Sequence, residues 1–325
     1  MREIRYVDAI REALLEEVRR DESVCILGEG VGFRGGAFTE TKGIWDEFGD
    51  RRVVDTPISE LGFVGLAVGA AMTGLRPIVD LTFWDFAFET SGQIIMQAAR
   101  AHYVSNGQIK VPLVIIAVIG MDQSGGAHHS GAPYPLYAHM PGLKVLVPST
   151  PYDAKGLLKS AIRDNDPVLF FYHRGLNNST GTVPEDEYVV PLGQAIVRRE
   201  GTDVTLVATS KMVFTALEAA DKLASEGISV ELIDPRTLVP LDKATVLASI
   251  RKTNRVVVVD EAYSPFGVGG EIAALAADET FYHLDAPIKR VHSPSVPAPL
   301  APPLEQAVIP SVERVIAVVR EAMSQ

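Results

Sequence analysis

The sequence has little of three features that would each place it in a special class of protein: cysteine, excess positive charge and long apolar segments. Cys25 is the only cysteine in 325 residues. An intramolecular disulfide is therefore excluded, and a reducing compartment is favoured. The 30 Lys and Arg residues are outnumbered by 41 Asp and Glu residues, so the formal net charge is −11. Nucleic-acid binding is disfavoured, because phosphate neutralisation needs clustered basic side chains.

Neither a membrane span nor a secretory signal is predicted. The longest apolar run extends from Leu61 to Leu75 and stops at Arg76, which is short of the ~20 residues that cross a bilayer. The first ten residues, MREIRYVDAI, are charged and lack the apolar core of a signal peptide. We therefore expect a soluble, cytoplasmic protein.

Apolar runs of strand length alternate with helical patterns along the chain. This alternation predicts an α/β fold with largely parallel sheets in two domains. The polar stretch RGLNNSTGTVPEDEYVVPLG has little periodicity, which is typical of a linker. We place a first domain at 1–180, a linker at 181–195 and a second domain at 196–325. The Pro-rich segment 292–306 is predicted to be an extended surface segment, because proline cannot pair in a central strand.

The sequence contains partial matches to a dinucleotide-binding fingerprint and to a histidine metal site, and neither match is complete. The glycines of GVGFRG follow a predicted strand, and Asp55 comes about 20 residues after Gly35, as in a dinucleotide-binding fingerprint. That fingerprint needs a helix beginning inside the motif, whereas a helix becomes plausible only at TKGIWDEF. A Gly-rich turn is therefore favoured over a nicotinamide site. Of the seven histidines, only His128, His129 and His139 around one loop come near metal-ligand spacing, and a metal site is disfavoured because adjacent loop histidines tend to point apart. The neighbouring serines lack the strand–turn–helix context of a hydrolase nucleophile.

Three long blocks carry a resemblance to a known family: DTPISELGFVGLAVGAAMTGLRPI, HMPGLKVLVPSTPYDAKGLLKSAIRDNDPV and ELIDPRTLVPLD. The chain resembles, essentially end to end, the beta subunit of the thiamine-diphosphate-dependent 2-oxo acid dehydrogenases. These are the decarboxylating components of pyruvate, branched-chain and acetoin dehydrogenase complexes. The resemblance implies a pyrimidine-binding, transketolase-like domain at 1–180 and a transketolase C-terminal domain at 196–325.

The resemblance also assigns roles to three residues. Glu60 matches the glutamate that hydrogen-bonds a ring nitrogen of the aminopyrimidine and helps to move a proton during activation of the cofactor. Phe86 matches the aromatic ring that packs on the pyrimidine. His129 matches a substrate-channel histidine that assists acyl transfer to a lipoyl arm. The alternatives are an ordinary acidic residue at a helix start, a core aromatic and a surface-loop histidine, and His128 is an alternative carrier of the histidine role.

A structural potassium site is a further implication of the resemblance. It would be built from carbonyl and carboxylate oxygens, which suit a hard cation. The matching positions are Leu113, Ala161, Ile162, Asp164 and Asp166. The same sequence, RDNDP, is also that of an ordinary turn at the end of a helix.

Half of the cofactor site is missing from the sequence. Relatives hold Mg²⁺ and the diphosphate with a Gly-Asp-Gly motif that Asn follows some 30 residues later, and no GDG occurs here. The resemblance therefore implies an alpha subunit and an α2β2 heterotetramer. The glycines Gly62, Gly65 and Gly69 cost a helix about 1 kcal/mol each relative to alanine, so we predict that this helix packs closely against the second chain, with core packing as the alternative. The acidic surface also suits a basic docking domain of a lipoylated acyltransferase core.

Two departures from the family leave the substrate open. Gly92-Gln93 stands where many relatives have Asp-Gln, and HHSGAPYP stands where they commonly have His-Ser-Gln. The predicted activity is decarboxylation of a 2-oxo acid, or C–C cleavage of acetoin, with reductive acylation of a lipoyl group. Half of a two-subunit transketolase-like enzyme acting on sugar phosphates is one alternative. A subunit that only docks partners is another.

Overall fold

The computed structural model describes all residues, 1–325, and divides into two compact units. The first unit comprises residues 1–119 and 136–192, and the second comprises residues 120–135 and 193–325. The division predicted from the sequence has its linker at 181–195 and keeps residues 120–135 in the first domain. In the structure these residues belong to the second unit. None of the helices has both the length and the apolar composition that a membrane crossing requires.

The first unit contains eight strands and five α-helices, and the α-helices of the whole chain are numbered α1 to α11 in chain order. The strands are β1 (Arg2–Arg5), β2 (Val24–Gly28), β3 (Val53–Asp55), β4 (Arg76–Phe83), β5 (Val114–Ile119), β6 (Lys144–Leu146), β7 (Val168–His173) and β8 (Thr180–Val183). The helices are α1 (Tyr6–Arg20), α2 (Ile44–Phe48), α3 (Glu60–Met72), α4 (Ala99–Val104) and α6 (Pro151–Arg163), and α5 (Tyr134–Ala138) spans the boundary between the units in sequence.

Six strands of the first unit form a parallel sheet in the order β6-β7-β5-β4-β2-β3. Strands β5 and β7 are buried along their whole length, as expected for a parallel sheet covered on both faces. Helices α1 and α6 pack beside it through apolar stripes that include Ile10, Leu14 and Leu158. Strands β1 and β8 form a separate antiparallel pair. The predicted parallel α/β fold is confirmed.

The carboxyl ends of β2, β3 and β4 meet at one edge of this sheet. Gly28, the last residue of β2, is in register with Asp55 of β3 and with Asp80 of β4. A Cβ at Gly28 would lie 2.5 Å from the Asp80 carbonyl oxygen, so only glycine allows this close approach. The segments that follow the three strands therefore begin side by side, which is where α/β proteins commonly bind ligands.

The second unit has its own sheet and core. Its strands are β9 (Ile196–Arg199), β10 (Val204–Ala208), β11 (Val230–Asp234), β12 (Thr237–Val239), β13 (Val256–Tyr263) and β14 (Lys289–Ser293). Its helices are α7 (Met212–Ala224), α8 (Lys243–Thr253), α9 (Val268–Thr280), α10 (Pro302–Val308) and α11 (Val312–Met323). The sheet order is β14-β13-β10-β11-β9, and only β9 runs antiparallel to its neighbour.

The prediction for the Pro-rich segment 292–306 is wrong at both of its ends. His292 and Ser293 are extended, as the last residues of the edge strand β14, but they are buried and do not lie on the surface. Pro302 and Pro303 open helix α10. Proline is tolerated at the first turn of a helix, because the amide it lacks would have no intrahelical partner there.

Candidate active site

Two carboxylates meet at the carboxyl edge of the first unit's sheet. Glu60 is the first residue of α3, which begins shortly after β3, and its side chain is half-buried. A helix N-terminus stabilises a negative charge. Glu29 directly follows β2, and burial, followed by the charge of Glu60, raises the pKa of its carboxyl group. Glu60 was predicted from the sequence, whereas Glu29 is identified only in the folded structure.

Two polar atoms at this edge have no hydrogen-bond partner. Glu29 Oε1 and Thr56 Oγ1 are both buried and unpartnered. Thr56 lies close to Glu29, because the Thr56 amide donates a hydrogen bond over 3.0 Å to the carbonyl oxygen of Gly28, the residue before Glu29. An unsatisfied buried polar group costs about 1–3 kcal/mol. The edge is therefore suited to bind a polar group from outside the chain.

Phe86 lies at the end of the neighbouring strand and is distinct from the core aromatics. It belongs to the short 3₁₀ turn Trp84–Phe88, which follows β4. Trp84 is fully buried and stacks on Phe171 with ring centroids 3.8 Å apart. Phe86 is only half-buried and contacts Phe83 edge-to-face at 5.7 Å. Trp84 thus anchors the turn, and part of Phe86 stays accessible.

A buried acid pair behind this edge was missed by the sequence reasoning. Asp80 is 2% exposed, and its Oδ1 accepts a hydrogen bond from the Thr82 amide over 2.8 Å. Burial, followed by the adjacent Glu40 carboxylate, raises the pKa of Asp80 well above its usual range. Glu40 accepts hydrogen bonds from the amides of Ala37 and Phe38, at 3.1 and 2.7 Å. Asp80 therefore stays protonated to a higher pH than an ordinary aspartate. An acidic residue inside the apolar run RPIVDLTF was the available signal.

The second unit carries His128 and His129 on residues 120–133, which we call the histidine loop. His128 is exposed, whereas His129 is half-buried and its amide donates to the Gly126 carbonyl oxygen over 3.3 Å. Of the two, His129 is the one held by its surroundings. Within this unit it is the better placed to keep a fixed orientation.

The positions predicted to bind potassium lie around the turn that ends α6, and cationic side chains already contact several of them. Lys144 Nζ lies 2.8 and 2.7 Å from the two carboxylate oxygens of Asp164 and 3.0 Å from Asp166. Arg76 donates to the carbonyl oxygens of Ile162 and Asp164, at 3.0 and 2.7 Å. The carbonyl oxygens of Leu113 and Ala161 accept hydrogen bonds from backbone amides. The oxygen ligands are present, but their negative charge is largely balanced within the chain.

The Gly-rich loop does not form a dinucleotide site. Residues 29–43 are turns and irregular backbone, and helix α2 begins only at Ile44. The carboxylate of Asp55 accepts a hydrogen bond from the Gly32 amide over 3.1 Å, so it is engaged in fixing this loop. The loop therefore lacks the helix N-terminus that would bind a pyrophosphate.

Helix α3 presents an apolar face that nothing in its own unit covers. Leu61 is 56% exposed and Leu66 is 59% exposed. A Cβ at Gly62 would lie 2.8 Å from Ser59 Oγ, and one at Gly65 would lie 3.5 Å from the side chain of Gln93, whereas one at Gly69 would meet nothing within 4 Å. Packing within the unit therefore gives no reason for glycine at position 69.

Comparisons with known proteins match both halves of the chain. The family model "Transketolase, pyrimidine binding domain" matches residues 2–179, and "Transketolase, C-terminal domain" matches residues 193–315. The acetoin:2,6-dichlorophenolindophenol oxidoreductase subunit beta of Bacillus subtilis is 45% identical, over 100% of this chain and 98% of that protein. The 2-oxoisovalerate dehydrogenase subunit beta of the same organism is 44% identical over 97% of each. The mitochondrial pyruvate dehydrogenase E1 component subunit beta-2 of Oryza sativa is 45% identical, over 99% and 86%.

A solved structure extends the comparison to the fold. A split-gene transketolase, described as an inactive beta4 tetramer, superposes with a TM-score of 0.80 and covers 99% of this chain and 98% of its own. Its sequence identity is 24%. This likeness shows a transketolase-like fold and carries no information about the substrate.

Proposed function

The chain belongs to the family of the beta subunits of pyruvate, branched-chain 2-oxo acid and acetoin dehydrogenases, and on that premise we propose that it supplies the pyrimidine-binding half of a thiamine-diphosphate site. Members of this family are thiamine-diphosphate-dependent oxidoreductase components. The single observation that carries the proposal is the carboxyl edge of the first unit's sheet, where Glu60 faces a second carboxylate and buried polar atoms lack partners.

The residues at this edge fit an aminopyrimidine. That ring presents nitrogen atoms that accept hydrogen bonds and an amino group that donates them, and the edge offers the acceptors Glu29 Oε1 and Thr56 Oγ1. Glu60 would hold a ring nitrogen, and the accessible part of Phe86 would pack on the ring. When bound, thiamine diphosphate supplies the electron sink that accepts the electron pair left when a bond to the substrate carbonyl carbon is cleaved.

The task of Glu60 is to share a proton with the bound ring. Glu60 is half-buried at the first position of α3, which places its carboxyl group where a bound ring nitrogen could exchange a proton with it. Glu29, whose pKa is raised, is neutral over a wider pH range, so it limits the like-charge repulsion around Glu60.

His129 is proposed to contact the substrate and to assist transfer of the acyl group to a lipoyl arm. Histidine suits proton transfer near neutral pH. His129 is favoured over His128 because it is half-buried and its backbone is hydrogen-bonded, whereas His128 is exposed. In the assembled enzyme, replacement of His129 by alanine should slow acyl transfer by about 10²–10⁴-fold, and His128→Ala should have a much smaller effect.

An alpha subunit is proposed to complete the cofactor site. The relatives are named as beta subunits, which implies such a partner in a heterotetramer. The Gly-Asp-Gly motif for Mg²⁺ and the diphosphate is absent from this chain, so we assign both to the partner. The uncovered face of α3, with Leu61, Leu66 and Gly69, is the proposed contact.

Three finer proposals concern docking, an ion and location. The net charge of −11 suits docking of the chain to a basic domain of a lipoylated acyltransferase core. Added salt should then weaken this binding, and an affinity that does not depend on salt would argue against the docking proposal. A potassium ion at the end of α6 would have to share its oxygens with Lys144 and Arg76. A cytoplasmic location stays a prediction, and several relatives carry "mitochondrial" in their names.

The reaction is oxidative cleavage next to a carbonyl group with acyl transfer to a lipoyl group, and a substrate panel tests it. The relatives at 44–46% identity are named as oxidoreductase or dehydrogenase subunits, which favours this reaction over a transketolase-like reaction on sugar phosphates. The chain should be reconstituted with its alpha subunit and assayed on pyruvate, branched-chain 2-oxo acids and acetoin, with a lipoyl domain as acceptor. We expect turnover of at least one of them. Turnover of sugar phosphates alone would contradict the proposal.

A further inference from the structure

The histidine loop is held in an unusual backbone conformation. Asp122 and Ser124 have positive φ angles of 98° and 52°. Residues other than glycine seldom adopt this region, because the side chain crowds the neighbouring backbone. A conformation of this kind persists only where surrounding groups fix it, so the contacts of these two residues show what fixes the loop.

Two elements of the second unit hold the start of the loop. Glu261 of β13 accepts a hydrogen bond from the Met121 amide over 2.5 Å. Lys211, which directly precedes α7, forms a short ion pair with Asp122. Gln306 of α10 also donates to Asp122 Oδ1 over 3.1 Å. These contacts account for the conformation of Asp122.

Ser124 is held by Glu305 of α10. The Ser124 amide donates to both carboxylate oxygens of Glu305, at 3.2 and 3.0 Å. Glu305 is 1% exposed, whereas Leu304 beside it is 60% exposed. A short surface helix normally buries its apolar residue and exposes its acid. The reversal at these two positions places a carboxylate in the interior, where it is costly unless hydrogen bonds compensate it.

We propose that Glu305 is a positioning residue for the histidine loop, which it fixes at Ser124 so that His129 is presented in one orientation. The link from Ser124 to His129 is short: the chain turns at Gly126, whose carbonyl oxygen accepts the His129 amide. Gly126 has a φ of 69° and packs beside Leu300, which lies 3.4 Å from the position of a Cβ. The effect on turnover rests on the proposed role of His129, whereas the effect on the loop does not.

Hydrogen exchange of the assembled alpha–beta complex tests the effect on the loop. Glu305→Ala should make the amides of residues 121–131 exchange about tenfold faster or more, because Ser124 loses its acceptor. Glu305→Gln keeps one acceptor oxygen and should give an intermediate rate. The matched control is Glu313→Gln, which removes an exposed carboxylate from α11. Unchanged exchange of the loop in a folded Glu305→Ala or Glu305→Gln complex would overturn the proposal.

A double-mutant cycle on acyl transfer tests the effect on His129. Glu305→Ala should slow this step about tenfold or more in the wild-type background and by less than twofold in the His129→Ala background, because both changes act through one side chain. Additive effects would overturn the proposal. If His129→Ala alone leaves acyl transfer unchanged, the proposed role of His129 is wrong, and hydrogen exchange alone then decides the role of Glu305.

Discussion

Two regions of the molecule, the carboxyl edge of the first unit's sheet and the histidine loop of the second unit, treat their polar groups in opposite ways. At the carboxyl edge of the first unit's sheet, Glu29 Oε1 and Thr56 Oγ1 have no partner within the chain. In the histidine loop of the second unit, the strained residues Asp122 and Ser124 are bound by Lys211 and Glu305. The unsatisfied groups at the edge are suited to bind a molecule from outside, whereas the loop is fixed by groups of its own chain.

The largest effect is expected at Glu60. In the reconstituted complex, Glu60→Gln should lower turnover by about 10²–10⁴-fold, because an amide cannot exchange the proton that a carboxylate shares with the bound ring. The complex should still assemble and melt at nearly the same temperature. Near-normal turnover would show that the chain only docks partners.

Next in size is the loss of assembly on filling the α3 face. Gly69→Leu should weaken binding of the alpha subunit by tenfold or more, measured by analytical ultracentrifugation, because the added side chain would fill a surface that the partner approaches. In the isolated chain a Cβ at Gly69 meets nothing, and the free energy of unfolding should rise by up to ~1 kcal/mol. Ala224→Leu on the exposed face of α7 is the control and should leave assembly unchanged.

A smaller effect separates Asp80 from ordinary carboxylates. The pKa of Asp80 in the folded chain is raised above 3.8. Its contribution to the free energy of unfolding is therefore most favourable below pH 4 and is lost as the pH rises towards the folded pKa. Asp80→Asn mimics the protonated acid, so its melting temperature should rise relative to wild type as the pH increases from 4 to 8. The slope can reach about 1.4 kcal/mol per pH unit.

The Glu40 carboxylate gives the second arm of this test. Glu40→Gln removes the charge beside Asp80 but leaves the larger cause, burial, in place. The pH dependence relative to Asp80→Asn should therefore become weaker without disappearing. If the melting temperatures of wild type and Asp80→Asn change in parallel between pH 4 and pH 8, Asp80 is ionised in the folded chain and the prediction is wrong.

The smallest effect concerns the proposed potassium ion. If it binds at the end of α6, melting in KCl should exceed melting in choline chloride of equal ionic strength, by about 2–4 °C for each kcal/mol of binding. Asp166→Asn should reduce this difference. Equal melting temperatures in the two salts would mean that Lys144 and Arg76 alone balance the turn.

The sequence predicted whatever local periodicity or a long family block encodes. The apolar runs PLVIIAVIG (112–120) and PVLFFYH (167–173) predict strands and PYDAKGLLKSAIRDN (151–165) predicts a helix, and β5, β7 and α6 lie within about two residues of these bounds. Glu60 is at a helix start as expected. What it missed depends on contacts between residues far apart in the chain. Asp80 meets Glu40 only because β4 lies beside β2, and Ser124 meets Glu305, 181 positions away, only because helix α10 forms from prolines that suggested extended chain.

The central claim is that this chain holds one half of a cofactor site and leaves the other half to a partner. It is tested most directly by turnover of the chosen substrate with thiamine diphosphate and Mg²⁺, by this chain alone, by the alpha subunit alone and by their equimolar mixture. We expect turnover in the mixture only. Turnover by this chain alone at the rate of the mixture would contradict the claim.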